Sequence, residues 1–132
     1  MARNWRHYPM ACALVGSLTA CAASVRQAPV DFHPRAASMA APRVAVLETV
    51  TIKLPTAYIR TVDKGSRWAL AGQVPQGDVY RPVGTVFTIE GRQVHEAYLV
   101  VSQQAIVGFY LPGDRTYSAL PTPVSLSLGD MQ

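Results

Sequence analysis

Turn-forming residues recur about every ten positions from Val44 to Leu128, and this spacing limits the possible folds more than any other feature of the chain. Each apolar run between two Pro- or Gly-containing turns has the length of a strand and is too short for an ordinary helix. The region has no apolar stripe at the three- and four-residue spacing of an amphipathic helix. The pattern therefore predicts an all-β domain over residues 44–132, built as a small antiparallel sandwich or a partly open barrel.

The clearest strands lie in the second half of this domain. Three β-rich runs with short polar connections predict a β-meander: Thr85–Glu90, Val94–Val101 and Ile106–Leu111. Because side chains alternate between the faces of a strand, Leu99 and Phe109 are assigned to the main core, and Val107 is expected on the same face as Phe109. Tyr110 then points away from that core.

Two turns carry a specific backbone expectation. Asp63-Lys64-Gly65-Ser66 predicts a turn in which Gly65 takes a positive φ. Pro112-Gly113 matches a type II turn, in which Gly113 would have the positive φ. Both expectations rest on the lack of a Cβ atom in glycine.

The residues before Val44 have a different composition. Residues 21–43 are rich in Ala, Pro and Ser and show no sustained hydrophobic period. They predict a flexible tether, which as a coil would span roughly 25–30 Å. Val30, Phe32 and Met39 are unusually apolar for a spacer, and leave open the alternative that this segment docks on another surface.

The first twenty residues have the layout of a secretory signal peptide. Arg3 and Arg6 precede an uncharged, mostly apolar run, Met10–Ala20, which ends in small residues. This run is about half of the roughly 20 residues that a membrane-spanning helix needs. We therefore expect residues 1–20 to be removed rather than to remain as a membrane span.

The end of this run is the motif Leu18-Thr19-Ala20-Cys21. It resembles the lipobox of bacterial lipoproteins. The resemblance implies cleavage between Ala20 and Cys21 and lipidation of Cys21 with acyl chains that include palmitate. These acyl chains would attach the protein stably to a membrane. The alternative is an ordinary cleaved signal in which Cys21 has no role.

The residue after the anchor bears on location. In bacterial lipoproteins an aspartate at this position often retains the protein at the inner membrane, and this chain has Ala22. The resemblance therefore implies the outer membrane, with the domain facing the periplasm.

Composition excludes one class of partner. The chain has 12 basic and 8 acidic residues, and the excess shrinks when Arg3 and Arg6 leave with the leader. The remaining arginines are scattered rather than clustered with aromatic residues, so nucleic-acid binding is not expected. Cys12 also leaves with the leader, so the lipidated chain would hold no free thiol or disulfide.

Catalytic and metal motifs are weak. His95 and Glu96 are adjacent on a predicted strand and point to opposite faces, so they do not form one site. The only other histidine after the leader is His33, and a zinc site needs three or four protein ligands. We expect no metal, no cofactor and no enzymatic activity, while a pocket near His95 that binds a small ligand or performs catalysis remains the alternative.

Partner binding is the favoured function. Tyr110, expected to face outward, together with Arg81 or Arg92 would make a surface typical of protein recognition. The sequence thus predicts an envelope-anchored lipoprotein whose β-domain binds or scaffolds a cell-envelope assembly, such as a secretion or conjugation apparatus.

Overall fold

The computed structural model describes residues 23–36 and 40–131. In these residues the chain forms no helix, and its β-strands are β1 (Ala28–Pro29), β2 (His33–Pro34), β3 (Arg43–Val46), β4 (Val50–Lys53), β5 (Ile59–Val62), β6 (Arg67–Val74), β7 (Gly77–Pro82), β8 (Thr88–Glu90), β9 (Val94–Glu96), β10 (Tyr98–Ser102), β11 (Ala105–Leu111), β12 (Thr116–Ser125) and β13 (Leu128–Asp130). The all-β prediction is confirmed. The predicted signal peptide and Cys21 lie outside the described residues. Throughout the described part, no helix is long and apolar enough to cross a bilayer.

Most strands belong to one antiparallel sheet. Its order is β1-β12-β11-β10-β7-β6-β3-β13, and β2 pairs with the second half of β6. Two hairpins, β4–β5 and β8–β9, form separate two-stranded sheets. Across the described strands the order ends at β1 and β13 without joining them, so no barrel closes.

The main core lies between the curled sheet and the two hairpins. Side chains from β3, β10 and β11 meet there in one cluster with Ile52 of β4 and Ile89 of β8. Because β3 lies three strands away from β10 in the sheet, the sheet must curl to bring these side chains together. Leu99 and Phe109 are each 1% exposed in this cluster, which confirms their predicted place. Phe87 links the layers, because its ring contacts Phe109 at a centroid distance of 6.3 Å.

The predicted run Val94–Val101 is two strands rather than one. It breaks at Ala97, whose amide donates a hydrogen bond of 2.9 Å to the carbonyl of Phe87. The part before the break, β9, pairs with β8, and the part after it, β10, enters the main sheet. The meander is therefore β10–β11–β12, and the first predicted run belongs to a separate hairpin.

A β-bulge changes the faces of β11. Val100 and Val101 of β10 pair with Gly108 and Ile106, which leaves Val107 as an extra residue, so strict alternation fails at this point. Ile106 joins Phe109 in the main core, whereas Val107 packs on the opposite side of the sheet. The expectation that Val107 shares a face with Phe109 is wrong for this reason.

Residues 23–36, named the N-terminal strap, begin at the main core with Val25 and then cross the opposite side of the sheet, where Val30 and Phe32 pack. The strap pairs with β12 through β1 and with β6 through β2. Between these two contacts Phe32 stacks on Tyr110 with ring centroids 4.5 Å apart. The flexible-tether prediction does not describe these residues, because their apolar side chains and backbone groups find partners on the sheet. In the described part of the chain, residues 28–29 and 33–34 therefore pair with strands of the main sheet.

The strap rests on a row of small and β-branched residues. Gly72, Val79, Val100 and Gly108 are neighbours across four strands. Both valines are fully buried. A Cβ on Gly72 would overlap the carbonyl oxygen of His33 in the strap, so the backbones approach closely there. Because Gly72 has no Cβ atom, the strap backbone can lie against β6 at this position.

Candidate functional site

The predicted partner surface is not a single surface. Tyr110 is 4% exposed because Phe32 covers it, so its place on an outer surface was predicted wrongly. Arg81 is exposed on β7, and its charge acts on the hydroxyl of Tyr98. Arg92 lies elsewhere, in the turn between β8 and β9.

Three tyrosines line up across the sheet beneath the strap. Tyr98 is paired with Tyr110, and Tyr110 with Tyr117. Burial raises the pKa of Tyr98, and the charge of Glu96 adds to this effect. Burial also raises the pKa of Tyr117, whose hydroxyl donates a hydrogen bond of 3.1 Å to the carbonyl of Val107. Tyr98 and Tyr117 therefore stay neutral, and the three rings pack across neighbouring strands, which is a structural role.

His95 is partly buried rather than a free surface residue. Its side chain is 14% exposed, and its Nδ1 atom lies 3.3 Å from Oδ2 of Asp114. The contact joins β9 to the turn between β11 and β12. Asp114 is 48% exposed, so solvent weakens the contact between its carboxylate and the imidazole.

A small cavity of about 230 Å³ adjoins His95. Its walls are His95, the β8–β9 turn residues Arg92 and Gln93, and strap residues that include Ser24 and Gln27. Pockets for small molecules usually have about 300–1,000 Å³, so the cavity is small for a ligand site. A pocket near His95 was the alternative drawn from the sequence, but its strap wall was not apparent, because the strap was predicted to be free.

A larger cleft of about 650 Å³ opens where β10 ends. This distal cleft is lined by Leu47, Gly77, Asp78, Tyr80, Val101, Ser102, Gln103, Gln104, Leu126, Ser127 and Leu128. It combines apolar side chains with an acid, a phenol and amides. That mixture suits a polypeptide segment, which presents both apolar and hydrogen-bonding groups.

The turn at the rim of the distal cleft has an unusual backbone. Gln103 and Gln104 connect β10 to β11 with φ angles of 50° and 60°. Two-residue hairpin turns with two positive φ angles normally use Asn and Gly. A residue with a side chain held in this region stores on the order of 1–3 kcal/mol, and such residues cluster at binding sites. The amide of Leu126 donates a 2.9 Å hydrogen bond to the carbonyl of Gln104 and holds the turn.

Acidic groups surround the phenol of the distal cleft. Burial raises the pKa of Tyr80, and the charges of Asp78 and Asp130 raise it further. The hydroxyl therefore stays protonated and can donate a hydrogen bond. Gln73 donates a 3.1 Å hydrogen bond to Oδ1 of Asp78, which fixes the carboxylate.

The described residues hold no cluster of metal ligands. Within residues 23–36 and 40–131, no three His, Cys, Asp or Glu side chains come together as a metal site requires.

Comparisons with known proteins give no family assignment. No protein-family model, curated protein or solved structure matches this chain.

Proposed function

We propose that the chain is a lipid-anchored component of a bacterial cell-envelope assembly, attached through Cys21 to the periplasmic face of the outer membrane. The observation that carries the binding role is the distal cleft with its strained Gln103-Gln104 turn. The lipobox resemblance carries the anchor. In this function the domain binds a protein partner and performs no reaction of its own.

The position of the cleft supports a partner located away from the anchor. Ala23 accepts a 3.0 Å hydrogen bond from the amide of Arg92 in the β8–β9 turn. From that hairpin the chain continues through β10 to the cleft, and five residues of strand span about 17 Å. A segment of an envelope protein can therefore enter the cleft without competing with the membrane.

The alternative function is a small-ligand-binding protein or an enzyme that uses the cavity beside His95. The contact between His95 and Asp114 favours it, since a carboxylate that orients an imidazole is common in catalytic sites. The cavity volume of about 230 Å³ is below the usual range for small-molecule pockets, which favours the partner-binding function instead.

Site-specific photocrosslinking in cells tests the binding role. A photoreactive phenylalanine at Gln103 or Ser127 is expected to give a discrete protein adduct, because both line the distal cleft. The same group at Thr51, exposed on the outer face of β4, is the matched control and should give none. The substitution Leu47→Asp, at an exposed wall of the cleft, should abolish the adduct. Equal adducts at all three positions, or none, would contradict the proposal.

Lipid labelling tests the anchor separately. Cys21→Ser is expected to abolish incorporation of radiolabelled palmitate, because the acyl chains need the Cys21 thiol. Cys12→Ser is the matched control: it removes a thiol within the predicted leader, and labelling should persist. Palmitate that still enters the Cys21→Ser protein would show that the lipoprotein interpretation is wrong.

A further inference from the structure

The start of the strap is fixed beside two hairpin turns. Ala23 bonds to Arg92, and the side chain of Val25 is buried in the main core. Cys21 precedes Ala23 by two residues, and two residues span at most about 7 Å. Acyl chains on Cys21 would therefore begin next to the β8–β9 turn, without the spacer that a free tether would provide.

The two turns form one continuous end of the domain. Thr56, between β4 and β5, donates a 2.6 Å hydrogen bond to the carbonyl of Glu90 in β8. A Cβ on Gly91 would lie 2.8 Å from the carbonyl oxygen of Ala23 and 2.9 Å from Cγ2 of Thr56. The strap backbone and the side chain of Thr56 thus meet at Gly91. We name this end the anchor tip: residues 23–26, 55–59 and 90–94.

The anchor tip carries exposed apolar side chains. Ile59 and Val94 are 63% and 65% exposed, and Tyr58 is also largely exposed. They are three of the six exposed large apolar side chains in the described part of the chain. Side chains that point into water at strand ends are usually polar, because an apolar side chain there remains in contact with water and contributes no burial free energy. Exposed apolar side chains on both turns beside an anchor indicate a surface that is covered when the anchor is in place.

The exposed charged groups of the tip, which do not include the partly buried Glu90, fit a phospholipid surface. Arg26 and Arg92 are exposed, close to the start of the strap, and their guanidinium groups suit lipid phosphates. Tyrosine and aliphatic side chains flanked by arginine are typical of the region between headgroups and acyl chains. Because the acyl chains of Cys21 hold this end at the bilayer, lipid is the occupant that reaches it first.

We propose that the anchor tip lies in the headgroup region of the bilayer, with Ile59 and Val94 at the acyl boundary and Arg26 and Arg92 at the phosphates. This inference rests on the lipid anchor proposed above. It adds a fixed orientation: the domain sits directly on the membrane, and the distal cleft faces away from it. The strap is the device that sets this orientation.

Depth-dependent fluorescence quenching tests the orientation. Acylation uses the Cys21 thiol, so one introduced cysteine is the only thiol of the mature chain and can carry an environment-sensitive fluorophore. The labelled positions are Ile59→Cys and Val94→Cys, with Gln103→Cys as the exposed control on the distal cleft. The full acylated protein is placed in vesicles of phosphatidylethanolamine and phosphatidylglycerol, with and without lipid brominated near the start of its acyl chains.

Labels at positions 59 and 94 are expected to emit at shorter wavelength and to be quenched several-fold more by brominated lipid than the label at position 103. Equal, weak quenching at all three positions would overturn the inference. Palmitate incorporation is measured on the same preparations, which separates the two proposals. Acylated protein with unquenched tip labels refutes the orientation alone, whereas absent acylation refutes the anchor and the orientation together.

Discussion

Leu99→Ala is expected to lower the free energy of unfolding by about 2–5 kcal/mol, because it leaves a cavity in the main core. Leu99 is 1% exposed and stands in a central strand between Tyr80 and Phe109. A domain of this size is stable by only about 5–15 kcal/mol. The loss should therefore appear as a fall of many degrees in the melting temperature, and as an earlier midpoint in urea.

Two variants control for this prediction. Val94→Ala removes a similar apolar side chain from an exposed position and should change the stability little. His95→Ala removes a partly buried ring whose partner Asp114 is half exposed, so the expected loss stays within about 1 kcal/mol. A larger loss for His95→Ala than for Leu99→Ala would mean that the main core has been assigned to the wrong face.

Local patterns predicted the parts of the fold that depend on local chemistry. Alternation within a strand placed Leu99 and Phe109 correctly, since each position is set by its immediate neighbours. Gly65 has a φ of 84°, as its turn sequence predicted. The all-β class followed from turn spacing alone.

Breaks in the pattern depend on distant partners, and the sequence did not reveal them. Val94–Val101 splits at Ala97 because the hairpin partner of β9 differs from the sheet partners of β10. The bulge at Val107 is set by pairing with β10, where Val100 and Val101 are paired with Gly108 and Ile106, rather than by β11 itself. In the turn after β11 the positive φ of 55° falls on Arg115 and not on Gly113, so the type II expectation is wrong there.

The strap was missed for a similar reason. Its pairing partners are far along the chain: Thr116, for example, donates a 2.6 Å hydrogen bond to Oε1 of Gln27. Short strands such as Ala28–Pro29 show no period, because each contributes only two residues. Val30 and Phe32 were the only signal in the sequence, and composition alone made them look incidental.

Both candidate sites depend on these distant contacts. Asp114 reaches His95 only because the turn after β11 comes back to β9. The rim of the distal cleft at Gln103-Gln104 has no glycine or asparagine to mark a strained turn. The anchor tip combines the strap with two turns, so it was not predictable while the strap was expected to be free.

Gly72→Ala is expected to displace the strap and to lower the free energy of unfolding by about 1–3 kcal/mol, the usual cost of overpacking. The new methyl group would overlap the carbonyl oxygen of His33 and lie 2.8 Å from Cζ of Phe32. Because the nearest obstacle is backbone, a side-chain rotation does not relieve the overlap. The strap must therefore move away from β6, and Phe32 must leave the ring of Tyr110.

Limited trypsin digestion followed by mass spectrometry checks this prediction, because Arg26 and Arg35 lie within the strap. Both sites should be cut faster in Gly72→Ala than in the unaltered protein, while cleavage within the main sheet stays slow. Gly113→Ala is the matched control, since a Cβ there has no atom within 4 Å and the backbone φ is ordinary. Digestion of the strap that is equally fast in Gly72→Ala and in the unaltered protein would mean that β2 does not hold it, so that the strap around Arg35 behaves as the free tether that its composition predicted. Equally slow digestion of both proteins would mean that the strap keeps its place despite the added methyl group, and that the predicted overlap is wrong. The contacts of Ala23 and Val25 fix the anchor tip separately from β2.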